Sequence, residues 1–402
     1  FSMSYVVNGL VAVLTMLVFY TGMKRLLFEQ IEFLRAPKAH GRLKAAGLVL
    51  LIAALGQACA AATSPTDESA IDTAAAASPT PGESWEVAAT PEDSGYSAEA
   101  LSAAQAYTET INTAAVMIVA DGIVVDQWGE TERKFNIHSI RKSFLAAMYG
   151  IHVAAGEIDL DATMESLGVD DNEPSLSELE KSATVHMLLK ARSGVFHPAL
   201  YETAGMAARR PARHSHEPDT FWYYNNWDFN TLGTIFRNLT KTDIHREFGR
   251  HIADRIGMQD YEPADGAYVA GADSVHPAYP FRMTARDMAR FGLLFLREGT
   301  WNGEQIVPRD WIRATVTSYS DSGDSGGYGY MWWVAANDKH LSGVDLSDGG
   351  YSARGAGGHY ILVVPAYDLV IVHRVNTDIS GNSVSSSEFG ELVRLILEAR
   401  AS

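Results

Sequence analysis

Long apolar stretches alternate with polar segments along the chain, and their spacing predicts the secondary structure. A helix is predicted over residues 97–110, and two apolar strands over 114–120 and 123–128 are separated by Asp121-Gly122, a pair typical of a hairpin turn. Residues 139–150 are then almost wholly apolar, which predicts a helix buried on every side rather than along one stripe. We therefore expect this helix to lie at the centre of a domain.

The remainder of the body is less regular until its last third. Residues 156–225 contain helix and loop signals, including a helix over 184–195, but few strand signals, so they predict an inserted helical subdomain. A strand is predicted over 329–334, two strands joined by a turn over 354–374, and a closing helix over 388–399. Together these elements predict an α+β fold, in which a mostly antiparallel sheet of N-terminal and C-terminal strands is flanked by helices.

Residues 1–59 have a different pattern, with two apolar runs separated by a basic stretch. Residues 5–22 are long enough to cross a bilayer. Residues 45–58 end at Cys59, the only cysteine of the chain, in the layout of a secretory signal that resembles a bacterial lipoprotein signal. Lipidation of Cys59 after cleavage and a hairpin of two membrane segments both stay open, as does a foreign origin of residues 1–22.

Both topologies predict an extracytoplasmic body that is anchored to the membrane. The lipoprotein interpretation has one departure, because the leucine expected three residues before the cysteine is displaced to Leu55 and Gly56 stands in its place. Residues 60–92 are mainly Ala, Ser, Thr, Pro and acidic residues, and they are predicted to be a disordered tether because they cannot bury enough apolar surface. The folded domain is expected over residues 93–402.

Composition and charge exclude several classes of function. With 402 residues, of which 47% are hydrophobic, the chain can bury a large core. Its net charge of −17 repels nucleic acid and anionic lipid, so no nucleic-acid partner is expected. The single cysteine excludes an internal disulfide and a cysteine-rich zinc site. No phosphate-binding loop or dinucleotide fingerprint is present, and no cofactor is predicted.

The strongest candidate for chemistry opens the apolar helix. Ser139 and Lys142 are three residues apart, so their side chains lie on one helical face. A serine becomes a nucleophile when a base takes its proton, and a lysine serves as that base where burial lowers its pKa. About one Ser-x-x-Lys is expected by chance in a chain of this length. This match begins the most apolar helix of the body, and we interpret Ser139 as the nucleophile and Lys142 as its base.

Further motifs follow Ser139 in a fixed order. They are Gly-Glu-Ile-Asp-Leu-Asp over 156–161, Leu-Leu-x-x-x-Ser-Gly over 188–194 and Tyr-x-Asn over 224–226. With these motifs, residues 96–400 resemble the serine β-lactamase-related family, which comprises class C β-lactamases, D-alanyl-D-alanine carboxypeptidases, family VIII esterases and 6-aminohexanoate-oligomer hydrolases. The resemblance implies a β-lactamase/transpeptidase-like fold, an active site between the sheet and the helical subdomain, and an acyl-enzyme mechanism.

The resemblance also implies roles for residues outside the apolar helix. Tyr224 would carry a proton between nucleophile and leaving group. Tyr223 is the alternative, because Tyr223-Tyr224-Asn225 fits the same short pattern. Asn226 would hydrogen-bond Lys142 or the amide of the substrate. In the same way, the oxyanion would be bound by the backbone N–H groups of Ser139 and, by an ungapped count from Pro365, of Ala353.

The third motif of the family, Lys-Thr-Gly or His-x-Gly, binds the carboxylate of the substrate. The same ungapped count places it on Gly350–Ser352, where no lysine or histidine stands. Arg354 or His359 could substitute for the missing cation. Gly355 and the glycines that follow it could belong to the substrate site, or they could only allow strand and helix to pack tightly.

These observations predict a serine hydrolase that acts on a small-molecule ester or amide. A β-lactamase ranks second and a D-alanyl-D-alanine carboxypeptidase third, because the carboxylate-binding cation is missing from its usual place. The alternative from another class is a catalytically inactive, membrane-tethered binding protein of the same fold. His214 and His216 form a weak metal pattern without a third ligand, so no metal is predicted. The sequence leaves the oligomeric state open.

Overall fold

Eight of the strands form one antiparallel sheet at the centre of the fold. The computed structural model describes residues 80–346 and 349–400. Its strands are β1 (Thr113–Ala120), β2 (Ile123–Gly129), β3 (Phe135–Asn136), β4 (Arg282–Met283), β5 (Thr300–Trp301), β6 (Glu304–Gln305), β7 (Ser320–Asp321), β8 (Gly327–Tyr328), β9 (Trp333–Val334), β10 (Tyr351–Gly355), β11 (His359–Val364) and β12 (Leu369–Val375). The large sheet has the order β2-β1-β12-β11-β10-β9-β8-β7, while β3 pairs with β4 and β5 with β6.

Helices cover both faces of this sheet. They are α1 (Ala98–Thr108), α2 (Arg141–Ala154), α3 (Glu178–Lys181), α4 (Val185–Leu189), α5 (Ala204–Arg209), α6 (Asn226–Thr240), α7 (Ile244–Phe248), α8 (Ala285–Leu296), α9 (Arg309–Thr315) and α10 (Ser386–Glu398). On β11, Ile361 and Val363 join the core that contains α2 and α8, whereas Leu362 and Val364 join the core under α1 and α10. The alternation of side chains along a strand thus divides the interior into two cores, and the predicted α+β fold is confirmed.

The apolar helix α2 lies in the larger core, as predicted. Every residue from 141 to 150 is buried. Phe144 stacks on Phe248 at 4.6 Å between ring centres and meets Phe291 edge-on at 4.4 Å. Gly150 allows Trp311 to approach closely, because a Cβ at this position would lie 2.2 Å from the indole ring. Contacts on all sides fix α2, and with it the residues at its first turn.

The chain between β3 and β4 supplies α2 to α7 and no strand of the large sheet, so the helical insertion is confirmed. Its predicted helix over 184–195 is shorter, because α4 ends at Leu189 and Ala191 adopts a positive φ of 57°. Of the strand predicted over 329–334, only Trp333–Val334 form a strand, β9, while residues 329–332 are the turn from β8, with Met331 at φ 59°. Where two strands were predicted over 354–374, the structure has three, β10, β11 and β12, and the first of them already begins at Tyr351.

The end of the predicted tether is ordered on the body, which corrects the boundary expected at residue 93. Trp85 donates its indole N–H to the Arg286 carbonyl at 3.1 Å. Val87 pairs in parallel with Val124 of β2, and two backbone hydrogen bonds of 2.9 Å accompany this pair. The physical reason is that Trp85 packs against the larger core and that the backbone of Glu86 and Ala88 hydrogen-bonds Val124. The remaining tether residues, 60–79, lie outside the described residues.

The predicted membrane segments and Cys59 also lie outside the described residues. Within the ranges 80–346 and 349–400, none of the helices combines the length and the apolar character needed to cross a bilayer.

Candidate active site

Ser139 and Lys142 meet at the start of α2, as predicted. Ser139 lies in a single 3-10 turn, His138–Ile140, that leads directly into the helix, and His138 enters this turn with a positive φ of 48°. Lys142 is only 1% exposed, and its Nζ lies 2.8 Å from Ser139 Oγ. The turn and the buried helix therefore hold a hydroxyl and an amine in direct contact at the edge of the larger core.

Tyr224 completes the group and comes from a distant part of the chain. It stands just before α6, whose N-cap is Asn225 with its side chain accepting from Asp228 N. The Tyr224 hydroxyl lies 2.6 Å from Lys142 Nζ and also contacts Ser139. Phe229 and Trp333 pack against its ring, with ring centres 5.2 and 5.4 Å away. The alternative, Tyr223, donates its hydroxyl to the Met206 carbonyl at 2.8 Å instead.

Burial sets the protonation of these groups. The pKa of Lys142 is held well below its usual range, first by burial and then by the neighbouring positive charge of Arg141. Burial raises the pKa of Tyr224 to about 12, although its hydrogen bond with Ser139 and the charge of Arg141 act in the opposite direction. A neutral amine between a serine hydroxyl and a protonated phenol can take a proton from one and exchange it with the other.

Asn226 is buried at the floor of the same site. Its Nδ2 donates to the Tyr201 carbonyl at 2.5 Å, and its Oδ1 is buried without a hydrogen-bond partner in the described part of the chain. The predicted contact with Lys142 is not observed. Of the two predicted roles, only a hydrogen bond from the substrate to Oδ1 is compatible with this arrangement.

The end of β10 forms the opposite wall of the site, but not at the predicted residues. Ala353 is fully buried within the sheet, where it pairs with Ile361, and it does not line the cleft. Arg354, Gly355 and Ala356 line it instead. The ungapped count from Pro365 therefore placed the oxyanion donor, and the Gly350–Ser352 motif position with it, too early along the strand. Counting without gaps fails because it ignores differences in turn length.

The close approach of two backbone segments explains why position 355 is a glycine. A Cβ at this position would lie 2.5 Å from the carbonyl oxygen of Ile137, two residues before the nucleophile. The glycine thus lets the end of β10 reach the backbone beside Ser139, and the close packing foreseen as one of its two explanations is observed. The next residue, Ala356, is exposed, and its N–H has no hydrogen-bond partner among the described residues.

Arg354 brings a positive charge to this wall. Its Nε donates to Ser352 Oγ and its Nη2 to the His340 carbonyl, both at 2.9 Å, and its Cζ lies 4.9 Å from the ring centre of Trp333. Burial lowers the pKa of Arg354 to about 10, so the guanidinium stays charged at neutral pH. His359, the other suggested substitute, is fully buried and hydrogen-bonded to Arg374 at 3.1 Å, away from the cleft.

The cleft around these residues has a volume of about 810 Å³. Its lining is mostly apolar and includes several aromatic rings, and some of the lining residues carry no sequence signal of a site. Trp333 lines the cleft while its neighbour Trp332 is fully buried in the core. The remaining lining residues that we did not predict are His138, Tyr201, Glu202, Thr203, Met206, Arg209, Trp222 and Ala356.

The two histidines of the weak metal pattern make other contacts. His216 stacks on Phe221 with ring centres 3.9 Å apart, and His214 lies 3.8 Å from Glu180. Within the described ranges, no three His, Cys, Asp or Glu side chains are grouped as a metal site requires.

Comparison with known proteins defines the family. The family model described as Beta-lactamase matches residues 99–388, which is more than half of the chain. The chain belongs to the β-lactamase family. It is accordingly a β-lactamase-family hydrolase, and the resemblance inferred from its motifs is confirmed.

Solved structures of the β-lactamase fold are similar to this protein. A Bacillus anthracis protein described provisionally as a 6-aminohexanoate-dimer hydrolase has a TM-score of 0.56 and 21% identity over 73% of this chain and 80% of its own. A penicillin-binding protein homologue from Pyrococcus abyssi has a TM-score of 0.54 and 19% identity over 74% and 77% of the two chains. A class C β-lactamase from Rhodobacter sphaeroides has a TM-score of 0.54 and 16% identity over 75% of this chain and 99% of its own. At these identities the likeness shows the fold.

A match to a curated protein is shorter. An uncharacterized protein of Alkalihalophilus pseudofirmus is 29% identical over 100 residues, which are 24% of this chain and 30% of that protein. The chain therefore matches less than a third of the length of this relative.

Proposed function

We propose that this β-lactamase-family hydrolase is a serine hydrolase in which Ser139 takes up the acyl group of an ester or amide. The observation that carries the proposal is the position of Lys142 Nζ, 2.8 Å from Ser139 Oγ and 2.6 Å from the Tyr224 hydroxyl. Ser139 and Tyr224 line one cleft, and Lys142 is buried directly behind them. A binding protein that had lost catalysis would have no need to keep a buried, neutral amine between two hydroxyl groups.

In the first step, Lys142 accepts the proton of Ser139 while Oγ attacks the carbonyl carbon of the substrate. The negative charge moves to the carbonyl oxygen, which the N–H groups of Ser139 and Ala356 would bind. Ala356 replaces Ala353 in this role because it lines the cleft and its N–H is free for a ligand among the described residues.

The tetrahedral intermediate then loses its leaving group. Tyr224 donates a proton to the departing oxygen or nitrogen and regains one from the protonated Lys142, so the lysine returns to its neutral form. A water molecule attacks the acyl-enzyme by the same route in reverse, giving its proton to the Tyr224–Lys142 pair. Ser139 recovers a proton as the acid product leaves.

The mostly apolar lining of the cleft favours a small ester or amide with an apolar acyl group. A β-lactamase or a D-alanyl-D-alanine carboxypeptidase is the second candidate, and Arg354 is the observation that favours it. Its guanidinium has only neutral partners, namely Ser352, Ser325 and His340, and it makes no ion pair among the described residues. A substrate carboxylate would supply the missing negative charge.

We also retain the extracytoplasmic, membrane-anchored location as a proposal. It rests on the apolar runs over 5–22 and 45–58 and on Cys59 at the end of the second run.

The proposal is tested by labelling the purified full-length protein with an activated fluorophosphonate and mapping the modified peptide. We expect a single adduct on Ser139, with loss of p-nitrophenyl ester hydrolysis in proportion to labelling. An adduct on another serine, or full hydrolysis by the labelled protein, would contradict it. A parallel panel of a short-chain ester, a linear amide and a chromogenic cephalosporin distinguishes the two candidate functions.

A further inference from the structure

A second buried cation, Arg141, precedes Lys142 in the chain, and both side chains pack against α6: Lys142 Nζ lies 4.9 Å from the ring centre of Phe229, and Arg141 donates to the next residue, Asn230. Arg141, the first residue of α2, is 1% exposed. Its Nη2 donates to Asn230 Oδ1 at 3.0 Å, and its Cζ lies 4.2 Å from the ring centre of Tyr279. Nε and Nη1 are buried without a hydrogen-bond partner, and no described carboxylate forms an ion pair with this guanidinium. The side chain is thus fixed in place by an amide and an aromatic ring, without a carboxylate partner among the described residues.

Leaving a buried charge uncompensated is costly, and a core arginine is normally paired with a carboxylate. The arginine cannot relieve the cost by releasing its proton, because a guanidinium stays charged at every accessible pH. Of two neighbouring buried cations, the lysine is the one that becomes neutral. The fixed charge of Arg141 therefore favours the neutral form of Lys142, which is the form that can act as a base.

The positive charge of Arg141 acts in the same sense on the neighbouring groups. After burial, it is the second cause of the low pKa of Lys142. Burial and then Arg374 lower the pKa of His138 to about 4, and Arg141 adds a smaller effect in the same direction. It opposes the effect of burial on the pKa of Tyr224 and of Tyr279. The effects of Arg141 on these four pKa values have one origin, because a cation disfavours other cations and favours anions around it.

We propose that Arg141 is a positioning residue that keeps Lys142 uncharged, and so able to accept the proton of Ser139, by holding a fixed positive charge near it. The inference rests on the proposed function, because it acts through Lys142.

The ionisable groups on the surrounding elements do not supply such a charge. Burial raises the pKa of the Asp228 carboxyl to about 7, so this group is largely protonated in acid and carries negative, not positive, charge above neutrality. Burial raises the pKa of each facing tyrosine, so their phenols are neutral at neutral pH. The groups on the start of α6, the loop before β4, β8 and the turn before α2 are Tyr224, Asp228, Tyr279, Tyr328 and His138.

The test is the pH dependence of kcat/KM for p-nitrophenyl butyrate with the full-length protein. Arg141→Met removes the charge, so the pKa of Lys142 rises and the acid limb should move up by about one pH unit, with about a tenfold loss of activity below it. Arg141→Lys replaces the guanidinium by an amine that burial can deprotonate, so it should move the limb in the same direction as Arg141→Met. Arg290→Met is the matched control, because Arg290 is also fully buried but lies on α8 outside the cleft.

A second variant covers the case in which Arg141→Met does not fold. Asn230→Asp is nearly isosteric and places a carboxylate against the guanidinium, at the atom that is now 3.0 Å away. It should move the acid limb in the same direction while the arginine remains. An acid limb that stays in place in the folded variants would overturn the role of Arg141.

The failure of this inference can be told apart from the failure of the proposed function. If Lys142→Met or Ser139→Ala retains wild-type hydrolysis, the proposed function is wrong and the inference falls with it. If both Lys142→Met and Ser139→Ala abolish hydrolysis, but the acid limb does not change with the charge at position 141, only the role of Arg141 is wrong.

Discussion

Lys142 Nζ lies 2.6 Å from the hydroxyl of Tyr224, although the two residues are 82 positions apart in the chain. The lysine is fixed by a helix that is buried on every side, and the tyrosine by the capped start of α6. Neither element alone forms the site. The contact joins the first turn of α2 to the start of α6, so the cleft forms only where these two distant parts of the chain meet.

Ser139→Ala should abolish ester hydrolysis and fluorophosphonate labelling. Because Ser139 is only half-buried and loses a single hydroxyl, the melting temperature should stay nearly unchanged. Mass spectrometry of the intact protein and a thermal melt measure both. Ser143→Ala is the control from the same helix: it loses the 2.8 Å hydrogen bond to the Met331 carbonyl and about 1 kcal/mol of stability, but it should be labelled normally. Persistent labelling of Ser139→Ala would refute the assignment.

Tyr224→Phe and Tyr223→Phe should differ sharply in steady-state kinetics. The first variant keeps the aromatic packing but removes the hydroxyl beside Lys142, so kcat should fall by about a hundredfold or more. The second loses only a hydrogen bond to the Met206 carbonyl, and its kcat should stay within about tenfold of wild type. A larger loss at Tyr223 than at Tyr224 would favour the alternative placement of the motif.

Asp228 should make the protein less stable as the pH rises. Its carboxyl is fully buried and accepts from Ser193 Oγ at 2.5 Å, and burial raises its pKa to about 7. The folded state therefore binds a proton more tightly than the unfolded state, so the stability contributed by this group is present in acid and is lost as the pH rises from about 4 to 7. Asp228→Asn removes this dependence while it keeps an acceptor for Ser193.

Urea denaturation at pH 5 and pH 8 measures this effect. Relative to Asp228→Asn, the wild type should lose about 2–3 kcal/mol between the two values. Equal pH dependence in the two proteins would show that the carboxyl stays ionised in the folded state.

The substrate preference should separate the two candidate functions. We expect a short p-nitrophenyl ester to be cleaved faster than a chromogenic cephalosporin by at least about a hundredfold in kcat/KM, which corresponds to about 2.7 kcal/mol. The reason is that the cleft lining is mostly apolar and that the cation on its β10 wall, Arg354, is already held by Ser352 and His340. Efficient cephalosporin hydrolysis that is lost in Arg354→Gln would reverse the ranking and identify Arg354 as the carboxylate anchor.

Cys59 should be lipidated if the second apolar run is a lipoprotein signal. Expressed in a Gram-negative host, the protein should incorporate radiolabelled palmitate and Cys59→Ala should not. Lack of uptake, or uptake that the substitution leaves unchanged, would favour the hairpin of two membrane segments.

Ser139 and Lys142 were predictable because their relationship is local. A spacing of three residues in an apolar helix determines which side chains share a face, whatever surrounds the helix. Tyr224 could be placed only through the motif, since no local pattern reports a contact across 82 positions. Arg141 was missed for the same reason, because its partners Asn230 and Tyr279 are remote in sequence.

The wall formed by β10 was harder to predict because it depends on register. An ungapped count assumes that every turn has its usual length, and an error of a few residues exchanged a buried position, Ala353, for the exposed Ala356. The different positions of Trp332 and Trp333 could not be predicted from the sequence for the same reason. Both are large and apolar, and only the turn before β9 decides that one enters the core while the other borders the cleft.

The short segment around Val87 has a consequence for how the protein behaves at high concentration. β2 is the terminal strand of the large sheet, and the outer side of such a strand offers free N–H and C=O groups to any other chain. Glu86 and Ala88 occupy two of these groups on Val124, and Trp85 anchors the segment from the side. A shortened protein that began at residue 93 would keep every catalytic group but expose this edge, and we expect it to self-associate through β2.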